Sequence, residues 1–206
     1  MGYSLPDVQT TPATPASGKA AWFTDSTSKK FVNLDDAGYY SGVLSRNRLL
    51  AAQSGFSTDT YVTNSGLVIP SFGMKVGMLA TWTISASKSA AGTASAVYTV
   101  RLGSNQSTAD TSRLALTAAT AQTAVADQGI LTITVSVQIV SAVGVIAGGA
   151  AWAKTQTGSI GLGGSQTGTS ATFDNSAVGG QFLGLSINGG ASASWTLQAS
   201  DALLIG

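Results

Sequence analysis

The chain contains no cysteine, no histidine and no glutamate, and its nine acidic residues are all aspartate. Without Cys there are no disulfides and no thiol chemistry, and the redox compartment is left open. Without His or Cys there is no imidazole base, no thiolate nucleophile and no ligand set for a common transition-metal site. Charge is scarce as well: charged residues are 9% of the chain, against about 25% in an ordinary soluble domain. Ten basic residues nearly cancel nine acidic ones, for a net charge of +1, so binding of nucleic acid through its phosphates is not expected. A uniformly apolar run is also missing. Gln128 to Ala153 carries no charge over 26 residues, but Leu131, Ile133, Val135, Val137 and Ile139 alternate with polar neighbours, which is the period of a strand with one buried face. A membrane helix there would place Thr132, Ser136 and Gln138 in lipid. The first residues, Met1 to Asp7, lack a basic stretch followed by an apolar one, so no secretory signal is expected and host-cell lysis is one route of release.

What the chain has in abundance is small residues. Gly, Ala, Ser and Thr fill 108 of 206 positions, which points to a structure held by backbone pairing and close packing. Low net charge gives little self-repulsion and suits a protein that lives in an assembly. Ten of the nineteen charges fall in the first sixty residues. This shift divides the chain into residues 1–56, an N-terminal arm with a hairpin, and residues 57–206, a β-domain.

Residues 1–19 hold three of the four prolines and few large apolar groups, so this arm cannot offset its own ordering entropy and must lean on another surface. Ala20–Asp25 and Lys29–Leu34 flank Ser26-Thr27-Ser28 and read as a hairpin, closed by Asp35-Asp36-Ala37-Gly38. Ser45 to Gln53 has helix composition, with Ser45 as N-cap and Gly55 as stop. Strands are expected at 59–63, 66–69, 78–86, 95–102, 113–117, 130–140, 143–147, 170–173, 181–187 and 193–199. Trp82/Ile84, Tyr98/Val100/Leu102 and Trp195/Leu197 each share one strand face. Many short strands with Gly, Asn, Asp and Ser between them indicate an all-β antiparallel sandwich or barrel. Residues 155–170 read as a Gly/Ser/Thr/Gln loop.

Catalytic patterns fail in turn. The adjacent acids Asp35-Asp36 precede Ala37-Gly38 in a turn, where Asp is favoured for local hydrogen bonding. The glycines of 158–168 lack the spacing and the Lys of a phosphate loop. Asn105-Gln106-Ser107 matches a glycosylation sequon by chance. No enzyme activity, cofactor or metal is expected. Trp82 and Trp195 belong on core faces, whereas Trp22 and Trp152 are candidates for surface contacts. Candidate anchor or interface residues are Trp22, Phe23, Phe31, Val32, Leu34, Arg46 and Arg48.

Three stretches carry a resemblance. Ser57 to Pro70 (STDTYVTNSGLVIP), Ser87 to Ala94 leading into Tyr98 to Gly103, and Ser186 to Thr196 resemble a β-sandwich domain of tailed-bacteriophage structural proteins. Gly18 to Gly38 resembles hairpin modules near the attachment ends of phage fibres and appendages. The resemblance implies a jelly-roll-like sandwich and a homotrimer located on the virion. Its implied partners are the major capsid protein or the tail and connector proteins. Two placements compete: a capsid decoration or head-fibre protein, and a tail fibre or receptor-binding tip that adsorbs to host surface glycans. A lectin-like bacterial adhesin is a weaker third reading. The absence of a long repetitive shaft favours decoration.

Overall fold

The computed structural model describes residues 8–9, 13–118, 121–154, 166–190 and 195–206. Among them the regular elements are all strands: β1 (Val8–Gln9), β2 (Ala20–Asp25), β3 (Phe31–Asp35), β4 (Tyr40–Ser41), β5 (Val43–Leu49), β6 (Gln53–Ser54), β7 (Thr60–Tyr61), β8 (Leu67–Val68), β9 (Leu79–Lys88), β10 (Val97–Gly103), β11 (Thr111–Thr117), β12 (Asp127–Ile139), β13 (Val145–Lys154), β14 (Gln166–Thr169), β15 (Phe182–Asn188) and β16 (Trp195–Ile205). They make three sheets. The large one runs β14-β13-β12-β9-β16-β5, with β6 also on β16. A second runs β11-β10-β15-β7, with β8 also on β15. The smallest is β1-β2-β3-β4, in which β1 lies parallel to β2.

The two larger sheets are antiparallel and pack as a sandwich. Ile84, Leu131, Ile133 and Val135 come from one, and Tyr98, Val100, Leu102, Leu185 and Ile187 from the other; all are buried in one hydrophobic cluster. Alternation accounts for this, because side chains two apart on a strand share a face. With β6, β13 and β14 of the large sheet set aside, the chain visits the sheets in the order β5, β7/β8, β9, β10, β11, β12, β15, β16, crossing between them at every step except β10 to β11. That order is consistent with a jelly roll carrying β13 and β14 as additions to one edge.

Glycine has a specific use in β13. Gly148 lies opposite Val135, and a Cβ there would fall 2.8 Å from both the Thr134 carbonyl oxygen and a Val135 methyl. A bare backbone at this position lets Val135 close onto the core. The buried indoles also find partners, as large amphipathic rings require. Trp82 Nε1 donates to the Ser65 carbonyl at 2.8 Å. Trp195 Nε1 donates to Gln122 Oε1 at 2.7 Å, and Gln122 Nε2 in turn donates to the carbonyls of Ala94 and Gly189.

Several expectations need correction. Residues 45–53 form no helix: β5 and β6 pair with β16. Arg46 and Arg48 sit two apart on one exposed strand face, and the Ser45 hydroxyl, read as a helix cap, instead accepts the Val68 amide at 3.1 Å. The partner strand lies some 150 residues downstream, so no local signal announces it. The large sheet therefore takes in residues 43–54, upstream of the division at 56/57. The strand expected at 170–173 is β14 at 166–169; residues 170–173 add a single bridge, Phe173 to Gly144. Ile139 leaves the buried face of β12 because a register shift falls between Val137 and Ile139, and its side chain is exposed. The arm, apart from 8–9 and 13–19, residues 155–165 of the loop expected at 155–170, and residues 193–194 of the strand expected at 193–199 lie outside the described residues; residues 166–169 of that loop are strand β14, paired with β13.

Candidate functional site

The hairpin of β2 and β3 has two faces with different roles. Phe23 pairs with Val32, and Leu34 lies opposite Ala21, so Phe23, Val32 and Leu34 point to one side. All three are buried in the same cluster as the sandwich core. Phe23 meets Tyr40 and Phe72 edge-on, with ring centroids 6.2 and 6.4 Å apart, while Tyr40 stacks on Phe72 at 3.8 Å. Trp22 and Phe31 occupy the opposite face, diagonal to each other across the strands. Their rings stack at 5.1 Å between centroids and 12° between planes, and they stay 57% and 52% exposed. Of the five aromatic and aliphatic anchor candidates, three are thus spent on internal packing and two are presented outward. The pair forms an exposed apolar patch on the outer face of the small sheet.

A buried carboxylate joins the hairpin to the sandwich. Asp25, at the end of β2, is fully buried. Its Oδ2 accepts the amides of Thr27 at 3.0 Å and Ser28 at 2.5 Å, which closes the turn. Its Oδ1 accepts the Ser71 amide at 3.1 Å and the Ser71 hydroxyl at 2.5 Å. Burial alone would push the carboxyl up, but the Ser71 and Ser28 donors outweigh it and hold the group below its ordinary value. The aromatic pair is therefore carried on a platform locked to the sandwich.

The other candidates are placed as follows. Arg46 and Arg48 both reach Asp201 on β16, with Arg46 Nη2 to Oδ2 at 2.6 Å and Arg48 Nε to Oδ1 at 3.3 Å. The Arg46 hydrogen bond, helped by Arg48, holds the Asp201 carboxyl below its usual range against the opposing effect of burial. This exposed cluster of two cations and one anion keeps a net positive charge. Trp152 is half-buried rather than presented: its Nε1 donates to the Tyr98 hydroxyl at 2.9 Å, and its ring meets Trp195 edge-on at 5.4 Å. The acids of the 35–36 pair serve turns. Asp35 Oδ1 accepts the amides of Ala37 and Tyr39, and Asp36 Oδ2 accepts the Gly18 amide at 2.6 Å.

Among the described residues no group of three or more Asp side chains is gathered that could hold a metal ion. Two relationships were not legible in the sequence: Asp25 with Ser71, and Arg101 with Asp59. Each joins residues more than forty positions apart, and each contains only common residue types in unremarkable local settings. Compared with known families and with curated proteins, the chain matches no family model and no curated sequence.

Proposed function

We propose that this chain is a non-enzymatic structural protein of a tailed-phage virion, a homotrimeric decoration protein held to the capsid through its N-terminal region. Two things support the reading. The chain resembles virion β-sandwich proteins over Ser57–Pro70, Ser87–Gly103 and Ser186–Thr196, and its strand order is consistent with the jelly roll that the resemblance implies. The observation that carries the attachment is the exposed Trp22–Phe31 stack, mounted on a sheet that Asp25 fixes to the sandwich.

In this reading the anchor surface narrows from the whole hairpin to its outer face. Trp22 and Phe31 supply the apolar contact with the major capsid protein, while Phe23, Val32 and Leu34 hold the platform in place. Rigid aromatic residues presented in this way lose little entropy on binding and give a large contact area. Apart from Val8 and Gln9, which pair with β2 of the chain itself, the residues of the arm add backbone to the same partner, at an ordering cost of about 1–2 kcal/mol per residue that docking must offset. Placement on a tail fibre or a receptor-binding tip is the competing reading. The test is rebinding of the purified full chain to particles that lack it, followed by imaging. Density on the shell supports decoration, and density confined to the tail overturns it.

A further inference from the structure

Away from the hairpin, the outer face of the five-stranded sheet carries a cleft of about 550 Å³ between the segment 59–64 and the loop 106–108. We propose that this cleft is a binding site for a neutral pyranose sugar. Its volume lies within the span of small-molecule sites. Asp59, Tyr61, Thr63, Asn64, Gln106 and Thr108 line it, a set that offers carboxylate, amide and hydroxyl groups and no aliphatic side chain beyond threonine methyls. Polar and apolar surface are present together, the Tyr61 ring beside amides and hydroxyls, and such a lining suits a ligand whose hydroxyls both donate and accept and whose ring C–H faces need cover.

Charge decides against an anion. No Lys or Arg is among the described residues that line the cleft; Arg101, bonded to its Asp59 and Thr108 walls, has a side chain only 10% exposed. Its Nε donates to Ser186 Oγ, its Nη1 to the carbonyls of Thr108 and Asp110, and its Nη2 to Asp59. Four of its five N–H donors are therefore taken, and its charge is matched by the Asp59 carboxylate. Phosphate or a carboxylated sugar would have to break these bonds to gain a cation. Asp59 itself stays 37% exposed, so its carboxylate faces both Arg101 and the opening.

The walls are preorganised. Arg101 ties the Asp59 wall to the Thr108 wall through a single buried guanidinium. Asn64 and Gln106, one on each wall, are non-glycine residues in the left-handed region, with φ of 57° and 51°. Neighbours hold both there: Asn64 Nδ2 donates to the Arg48 carbonyl at 3.1 Å, and the Gln106 side chain lies over Gly66, where a Cβ would fall 2.5 Å from Oε1. Backbone held in sparsely populated conformations on both sides of one cleft fits a surface shaped for a ligand.

This inference is independent of the attachment reading, since it concerns the isolated protein and the other concerns particles. The experiment is saturation-transfer NMR on the full chain with the methyl glycosides of glucose, galactose, mannose and N-acetylglucosamine, each up to about 50 mM, well above a millimolar Kd. At least one sugar is expected to show saturable transfer that inorganic phosphate does not displace. Thr63→Trp, which fills the mouth from an exposed position, should abolish the signal. Thr108→Val, which removes one hydroxyl but leaves the carbonyl bonded to Arg101, should raise Kd about tenfold. Unchanged melting temperatures in both variants keep folding out of the comparison. Absence of transfer from all four sugars, transfer that survives Thr63→Trp, or displacement by phosphate overturns the proposal.

Discussion

Asp25 and Ser71 form a two-point hydrogen bond across 46 residues of chain, in which one carboxylate oxygen accepts both the backbone amide and the hydroxyl of the same serine. The other carboxylate oxygen closes the hairpin turn. One buried side chain thus sets the local shape of the hairpin and its attachment to the sandwich. Ser71→Ala removes the hydroxyl donor and leaves the amide; a loss of about 1–2 kcal/mol is expected, read from urea denaturation. Asp25→Ala leaves four donors without their acceptor and should cost more, about 3 kcal/mol or above. Equal stability of wild type and Asp25→Ala would show that the tether contributes nothing.

The same carboxylate makes stability depend on pH. Its folded pKa is lowered from the ordinary 3.8, so the unfolded chain takes up the proton more readily than the folded one. The stabilisation is fully present above the unfolded value and is lost as pH falls through the folded one. Melting temperature should therefore decline below about pH 4. Asp25→Asn, which cannot titrate, should show a shallower decline over that window. An identical acid profile for the two proteins would remove Asp25 as the cause.

Val135 is 1% exposed and faces a tight apolar space with Ile69, Met74, Met78 and Leu204. Val135→Asp places an unpaired carboxylate there, and a loss of about 4 kcal/mol or more is expected. The variant should be found in the insoluble fraction or lack the cooperative thermal transition of the wild type. A soluble, cooperatively folding Val135→Asp protein would contradict the sandwich core as described.

The two faces of the hairpin predict two kinds of variant. Trp22→Ser with Phe31→Ser alters only the exposed face, so stability should change by about 1 kcal/mol or less, while rebinding to particles lacking the protein should be lost. Phe23→Ala opens a cavity against Tyr40 and Phe72 and should cost about 3–5 kcal/mol. Removal of residues 1–38 would uncover Phe72 and should lower the melting temperature as well as abolish attachment. Full attachment by the double serine variant would move the anchor elsewhere on the molecule.

The trimer is tested by light scattering on the purified chain. A mass near three times 20.6 kDa, unchanged on dilution through the micromolar range, is the expected result. A monomer at every concentration would leave assembly to the particle alone.

Much of the sandwich could be read directly from residue order. Leu131 to Val137, Trp82/Ile84 and Tyr98/Val100/Leu102 alternate with polar neighbours, and period 2 has one physical meaning when a single face is buried. The hairpin was equally plain, because its turn residues and both of its strands are contiguous. By itself, then, the amino-acid order determined the all-β class, most of the strands, the hairpin and the residues of the central core. Tertiary structure alone decided which partners those strands chose. Residues 45–53 have helix composition, yet supply strands β5 and β6 because β16 offers an open edge and Asp201 meets Arg46 and Arg48 there. Trp22 and Phe23 are adjacent and chemically alike, and only the packing of Phe72 and Tyr40 beneath the hairpin decides that one is buried and the other displayed. The Arg101 cleft and the Asp25 tether arise in the same way. Alternation is a local property of the chain, whereas a salt bridge or a wall of a cleft exists only once distant segments have been brought within a few ångströms.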